Sequence, residues 1–566
     1  MVRSASFLLS WAVFACCLAV AAAVFLLPIA NPDLWWHLSA ARYIIEHRAF
    51  PREEWLSHTM AGVPWADFEW GVQLLWYGLK AAGGMTALWA LKAGLLAATA
   101  AIVWRTLALY GVAGEGGAFG AFAWALSTMM GNDLRPENFS LLFFASLLFW
   151  IERRRLRTPE AAGSAIALRT IAGCAAFFCV WANLHAGFFY GFVLLGAYAA
   201  ADFVRRKDRT LAAALGASAA SSLINPYGAE VYWVAVQHAA QRKTLQAFIR
   251  EWGAPDLFEP SLAPFWLILA VSFAVVLRGQ LTRRSAPAEH IALLLVFAIS
   301  SAAHVRTGVY FLTVAIVILA AAWVRIDFPP GIGRMLRIGG TFAGTVFFFR
   351  VIFPAFDSGA VFRPHYVPMR AAAFLEREAS VLAGKPLYNP WEWGGYLGYT
   401  LYPRYRIFND GRYPFHSMLP GVNEAKQSPD RYHAYMLGHG VEIALVQRVG
   451  QFLRAPIVLK DGREQLLMRP FYLFFLPSEY WALIYWDPQA MVFVRRGTVP
   501  DAWLKGMEFK WFRPDDLAAA SLSLHEGVVG ISVLEAEVAR FIADGAAADE
   551  VEAAREWLRG LREFSS

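Results

Sequence analysis

The chain alternates long apolar runs with short polar breaks as far as about residue 355, and beyond that point the pattern disappears. The first run, Phe7 to Pro28, is followed by a polar stretch from Ile29 to about Gly84. Further runs occupy about 86 to 109, 116 to 131, 139 to 152, 168 to 184, 187 to 204, 210 to 224, 262 to 277, 288 to 303, 308 to 324 and 337 to 354. Such runs predict transmembrane helices, because ~20 apolar residues cross a ~30 Å hydrocarbon core. About eleven crossings are expected, with 139 to 152 and 210 to 224 short for a full span. Trp70 to Lys80 is apolar enough to lie on or dip into the membrane without crossing it. Phe7 to Pro28 resembles a signal peptide, but it is long and lacks a small-residue cleavage site, so it is read as a retained first span.

Beyond residue 355 short β-like runs, Lys385 to Tyr388, Arg406 to Phe408, Glu442 to Val446 and Met491 to Val494, alternate with helical stretches at Met369 to Leu382 and Tyr432 to Gly438. A small α/β domain follows. From about Pro514 the chain becomes Ala- and Glu-rich, and Asp515 to Leu522 with Val533 to Glu563 predict a terminal helical pair. The fold class is therefore mostly α: a polytopic transmembrane domain over 1–355, whose first outer loop spans 29–84 with membrane-surface helices, an α/β domain over 356–513 and a helical segment over 514–566.

Composition supports two solvents. The 566 residues are 58% apolar and only 17% charged, against about 25% charged in soluble domains. The net charge of +7 does not imply nucleic acid. Its basic residues cluster between apolar runs at Arg153, Arg154, Arg155 and Arg157, at Arg205, Arg206, Lys207 and Arg209, and at Arg283 and Arg284. That is the positive-inside pattern. It places the C-terminal domain on the outer face, the periplasm of a bacterial inner membrane. The four cysteines, Cys16, Cys17, Cys174 and Cys179, all lie in apolar runs and read as small buried hydrophobes.

Polar groups at the membrane rim are the first place to look for chemistry. Two outer loops carry acids there: Asn31-Pro32-Asp33-Leu34-Trp35-Trp36-His37 with Trp65-Ala66-Asp67-Phe68-Glu69-Trp70 in the first, and Asn132-Asp133-Leu134-Arg135-Pro136-Glu137-Asn138 in the second. A carboxylate there can act as a general base or bind a divalent metal ion while cations clamp a phosphate-bearing donor. An anchoring tryptophan belt with solvated acids accounts for the same residues without chemistry. His185 and Arg306, at outer span ends, suit a lipid phosphate; a structural histidine and a snorkelling arginine are the bland alternatives. Trp391 to Tyr396 and Asp410-Gly411-Arg412 offer an acceptor-facing surface, although Asp-Gly is also a turn signal. Walker loops, zinc-spaced clusters and nucleophile elbows are absent from the sequence.

An acid just after the first span, a long outer loop, an acidic turn after the third span, many further spans and an outer domain together resemble the GT-C superfamily of membrane glycosyltransferases. Asp33-Leu34-Trp35-Trp36-His37, Trp65 to Trp70, Arg135 to Ser140, Trp181 to Gly187, Asn225-Pro226-Tyr227-Gly228 and Asn409 to Arg412 look like a group of bacterial proteins of this type. The oligosaccharyltransferase string Trp-Trp-Asp is missing from the C-terminal domain, which argues against transfer to asparagine. The resemblance implies transfer of a sugar from a polyprenyl-phosphate carrier to a lipid, glycan or protein acceptor in contact with membrane lipids. It implies Asp33 as the first-loop acid and either Asp133 or Glu137 as the second. From their places in the rim loops and at outer span ends, His37, Asp67, Glu69, Arg135, His185 and Arg306 are the expected substrate-binding residues. Two rival functions remain: a transporter or flippase of a lipid-linked substrate, which calls for charges near span midpoints such as Lys92, and a non-catalytic envelope scaffold.

Overall fold

The computed structural model describes residues 2–157, 164–284, 286–325, 331–356, 360–459 and 461–565. They form two compact units, one of Met1–Leu34, Ala40–Arg52 and Ala66–Arg363, the other of Trp35–Ser39, Glu53–Trp65 and Pro364–Ser566.

The first unit is helical: α1 (Val2–Phe25), α2 (Leu34–His47), α3 (Trp70–Ala108), α4 (Glu115–Ser127), α5 (Glu137–Arg157), α6 (Ser164–Ala182), α7 (Phe188–Arg206), α8 (Thr210–Ser221), α9 (Glu230–Ala240), α10 (Arg242–Phe248), α11 (Ala263–Leu281), α12 (Ala288–Ala303), α13 (Gly308–Trp323) and α14 (Ile332–Phe347). Among the described residues seven helices are long and apolar enough to cross a membrane, and the chain is a multi-pass membrane protein. α4, α8 and α12 are shorter, with 13, 12 and 16 residues. The expected short run at 139 to 152 is a 21-residue helix. Its last turn is built from Arg153 to Arg157, which end the apolar run without ending the helix, arginine being a good helix former.

α3 holds 39 residues, and its backbone leaves helical geometry at Gly83 and Gly84, the latter at φ 62°. A straight helix of that length would measure about 58 Å, far more than one bilayer. Glycine absorbs the kink because it has no Cβ to clash at positive φ. Trp70 to Lys80 thus lies before the kink, and the run from about residue 86 lies after it.

Successive helices run back and forth. The loops after α1, before α5, between α6 and α7 and between α12 and α13 therefore share one end of the bundle. The turns with the Arg153, Arg205 and Arg283 clusters lie at the other. At that basic end the buried Glu152 accepts hydrogen bonds from Tyr110, Tyr198 and His290 and pairs with Arg155 at 2.8 Å.

The second unit centres on a four-stranded sheet ordered β1-β2-β6-β5, in which β1 (Leu387–Tyr388) pairs parallel to β2 (Ile443–Gln447) and the rest is antiparallel. β5 is Trp481–Trp486 and β6 is Ala490–Arg495, buried along almost their whole length. β3 (Phe452–Val458) and β4 (Glu464–Pro470) form a separate hairpin. The strand expected at Arg406 to Phe408 is instead loop, joined through Ile407 to Ser57 by one isolated bridge. The expected terminal pair is three helices, Leu517–His525, Ile531–Ala543 and Ala548–Ser565, because Gly545 at φ 91° turns the chain within the Val533 to Glu563 run.

Asp410 and Arg412 are not an acceptor-facing surface. Both are buried, and Arg412 donates to Asp410 at 2.9 Å and to Glu54 at 2.7 Å, with Trp55 and Trp65 flanking its guanidinium. Burial pushes the Asp410 carboxyl up and Arg412 draws it back down. Gly394 of the Trp391-Glu392-Trp393-Gly394 string lies so close that a Cβ there would stand 1.8 Å from the Asn409 carbonyl oxygen. The two strings are halves of one packed joint.

Candidate functional site

The site is at the end of the helical bundle opposite the basic clusters. α1 ends before Asn31, whose side-chain oxygen takes the Asp33 amide at 3.1 Å and whose amide group donates to the Leu134 carbonyl at 2.8 Å. Asp133 accepts the backbone N–H groups of Ala30, at 3.1 and 3.2 Å, and Leu134, at 2.7 Å. Its carboxylate thereby staples the first acidic loop to the second. Burial pushes the Asp133 carboxyl up, and Lys92 and Arg135 oppose that rise.

The second loop is braced by Asn138, which accepts the Arg135 amide at 2.9 Å and donates to the Gly131 carbonyl at 3.2 Å. That brace fixes Arg135, whose two terminal nitrogens form a fork on both oxygens of Glu251. Glu137 opens α5, and its carboxylate is 3.4 Å from the Arg306 Nε in the short turn before α13. Both cations at this rim thus face carboxylates while half-buried or less exposed, the setting in which guanidinium pairs resist screening.

Glu69 stands at the N-terminus of α3. The helix start is tied to the end of α6, with the Trp70 indole donating to Asn183 at 3.1 Å and the Gly71 amide to the Asn183 carbonyl at 3.3 Å. Asp67 accepts from Gln73 at 2.6 Å. His185 lies in the turn between α6 and α7. Its Nδ1 accepts the Gly187 amide at 3.0 Å and sits 2.7 Å from the Ser140 hydroxyl. Because the Trp181 indole donates to that same hydroxyl oxygen at 2.7 Å, the Ser140 proton is left for Nδ1. The imidazole proton is consequently on Nε2, which faces Glu69 Oε1 at 3.6 Å.

Burial drives both groups to their neutral forms. It pushes the Glu69 carboxyl up to about 8, with Arg306 opposing and Asp67, Asp33 and Glu137 adding to the rise. It pushes His185 down to about 3, helped by the Arg306 charge. A carboxyl that titrates near neutral pH beside a histidine of fixed tautomer can take up and release a proton under working conditions.

The structure thus gathers Asp33, Asp67, Glu69, Arg135, Glu137, His185 and Arg306 into one charged cluster, with Asp133 at its edge bound to backbone amides. His37 belongs to the second unit, buried with its ring 3.6 Å from that of Trp36. Sequence reading missed Ser140 and Glu251. Ser140 closes the string from Arg135 to Ser140 and could have been weighed there, whereas Glu251 lies in a polar stretch with no span end to mark it.

A divalent ion does not fit the donors as they stand. Among the described residues no three His, Cys, Asp or Glu side chains converge as metal ligands. Glu137 and Glu251 face arginines and Asp133 holds amides.

No protein family matches the chain's sequence, and no curated protein does. Solved structures do match its fold. The archaeal oligosaccharyltransferase AglB from Archaeoglobus fulgidus, in complex with an inhibitory peptide and a dolichol-phosphate, superposes with TM-score 0.56 at 10% identity over 94% of this chain and 84% of that one. The same enzyme tethered to an acceptor peptide gives 0.52 at 10% identity, over 94% and 85%. ArnT from Cupriavidus metallidurans, bound to undecaprenyl phosphate, gives 0.46 at 13% identity, over 86% and 98%. The likeness to the archaeal enzyme, at 10% identity, shows that the two chains share a fold.

Proposed function

We propose that this chain is a membrane glycosyltransferase that moves a sugar from a polyprenyl-phosphate-linked donor to a lipid, glycan or protein acceptor at the outer face of a bacterial inner membrane. The observation that carries the reading is the charged cluster of Asp33, Glu69, Glu137, His185 and Arg306 at one end of a GT-C bundle. In the reaction the acceptor oxygen or nitrogen forms a bond to the anomeric carbon as the bond to the donor phosphate breaks. The phosphate leaves with its lipid, and the acceptor proton passes to a base.

Glu69 is the base in this reading. Its environment sets its affinity for a proton near working pH, where general-base transfer is most effective. His185, with its proton on Nε2, orients the carboxylate. Asp33 positions the acceptor, and Asp133 holds the loop that carries Asp33. Arg135 and Arg306 meet the charge that develops on the leaving phosphate, Arg306 exchanging part of its contact with Glu137 for the donor. Asp67 supports Glu69 through electrostatics.

The test uses the full chain in lipid nanodiscs with polyprenyl-phosphate-linked sugars and a panel of acceptors. Glu69→Gln and Asp33→Asn should each abolish transfer while expression and donor binding persist. Full transfer by both variants would overturn the assignment. Transbilayer movement of the donor without any glycosylated product would favour the flippase reading instead.

A further inference from the structure

The end of the bundle opposite the carboxylate cluster holds a second arrangement that glycosyl transfer at the outer rim does not use. A small cavity lies between α11, α12 and α13, with His290, Arg284 and Arg325 among its lining residues. Its walls are apolar, from Val275 and Val276 on α11 and Ile318 on α13. The enclosed volume is about 10 Å³, enough for roughly one oxygen-sized group.

His290 is almost wholly buried, at 1% exposure, and its two ring nitrogens differ. Nε2 donates to Glu152 Oε1 at 2.6 Å, while Nδ1 is buried without a hydrogen-bond partner. A buried polar nitrogen left in this state is destabilising by ~1–3 kcal/mol, so its retention beside a cavity calls for an explanation. Arg284, an exposed member of a basic cluster, donates to the Arg325 carbonyl at 3.1 Å and brings positive charge to the same opening. α11 is mostly uncovered by protein, only 17% of its apolar window being buried, so the groove beside it is open to lipid.

We propose that this groove binds the phosphate headgroup of a membrane lipid. One phosphate oxygen enters the cavity and takes up the hydrogen-bonding position at Nδ1 of His290. The phosphorus stays at the mouth near Arg284 and Arg325, and an acyl or prenyl chain runs along Val275, Val276 and Ile318. Basic pockets between helices at a membrane rim, backed by apolar walls, are suited to anionic lipid headgroups. Through the Glu152 hydrogen bonds the bound headgroup would connect with Tyr110 on the chain after α3, Tyr198 on α7 and α5 itself. The site is independent of the proposed transfer reaction.

The test places the full chain in nanodiscs of neutral phosphatidylcholine doped with phosphatidic acid, phosphatidylglycerol or undecaprenyl phosphate, and reads bound lipid by native mass spectrometry. At least one phosphate lipid should bind saturably. Arg284→Gln, an exposed change that leaves the core intact, and His290→Gln should each weaken binding tenfold or more. Inorganic phosphate at millimolar concentration should fail to compete. Unchanged binding in Arg284→Gln would overturn the proposal even if His290→Gln misfolds, and full competition by inorganic phosphate would overturn the lipid as its source. Saturable binding to one dopant alone would identify the headgroup.

Discussion

His185 Nε2 faces Glu69 Oε1 at 3.6 Å, and both groups are held neutral by burial. The pair has a defined consequence for pH. Glu69 must lose its proton to act as a base, so transfer should rise with pH and level off above about 8. Stability runs the other way. A carboxyl whose folded pKa is raised favours the fold most at low pH, and that contribution is lost as pH passes through about 8. Glu69→Gln should therefore lower transfer by ~10²-fold or more while keeping a melting temperature that no longer falls as pH rises from about 4.5 to about 8. Rates and thermal melts across that interval check both halves. A flat rate profile in the parent protein would remove Glu69 from the base role.

Gly187 supplies a steric test of the same site. A Cβ there would lie 2.4 Å from the Ser140 hydroxyl oxygen and 2.8 Å from the Tyr310 oxygen. Gly187→Ala should displace Ser140 and release His185 Nδ1, reducing transfer by about tenfold to a hundredfold, as expected for a small misplacement of an aligned group. Adding Ser140→Gly should return part of the activity by vacating the space. If the double variant is no better than the single one, the loss comes from the α7 backbone and not from His185.

The bundle was legible because lipid imposes a simple requirement: apolar runs must be helical, and charged clusters mark their ends. Asp33, Glu69 and Glu137 were found for that reason, since each abuts a helix end. The partners of those residues were not legible. Glu251 meets Arg135 across 116 positions and Ser140 meets His185 across 45, pairings that depend on tertiary packing. Asp410 and Arg412 were misread as surface because a charged turn string ordinarily lies in water, whereas here Glu54 and Asp410 compensate a buried guanidinium. The β3–β4 hairpin escaped notice because its strands are mostly exposed and lack alternation.

Arg135 and Arg306 should differ in how they fail. Arg135 engages Glu251 through two parallel contacts, a geometry that lysine cannot reproduce. Arg306 meets Glu137 at 3.4 Å through Nε, with its charge also near Glu69 and His185. Arg135→Lys should lower thermal stability, with a double-mutant cycle against Glu251→Gln giving coupling of ~1 kcal/mol or more. Arg306→Lys should leave the fold intact and raise the KM for the lipid-linked donor. Steady-state kinetics over donor concentration separate the two, and equal KM values in parent and Arg306→Lys would exclude Arg306 from donor binding.

Arg412 tests what the buried charges of the second unit do. Its guanidinium offsets two carboxylates, Glu54 and Asp410, that are fully shielded from water. Removing the cation leaves both acids without compensation, a change that destabilises by ~3–5 kcal/mol, whereas neutralising all three partners together avoids the unpaired charge. Arg412→Met should therefore loosen the unit, with faster hydrogen exchange in β2 and β6, the strands at the centre of its sheet. The triple variant Glu54→Gln, Asp410→Asn and Arg412→Met should recover most of that protection. Recovery would identify charge compensation as the role of the Asn409 to Arg412 string. A triple variant as loose as Arg412→Met would show instead that the guanidinium acts through its packing against Trp55, Trp65 and Phe415.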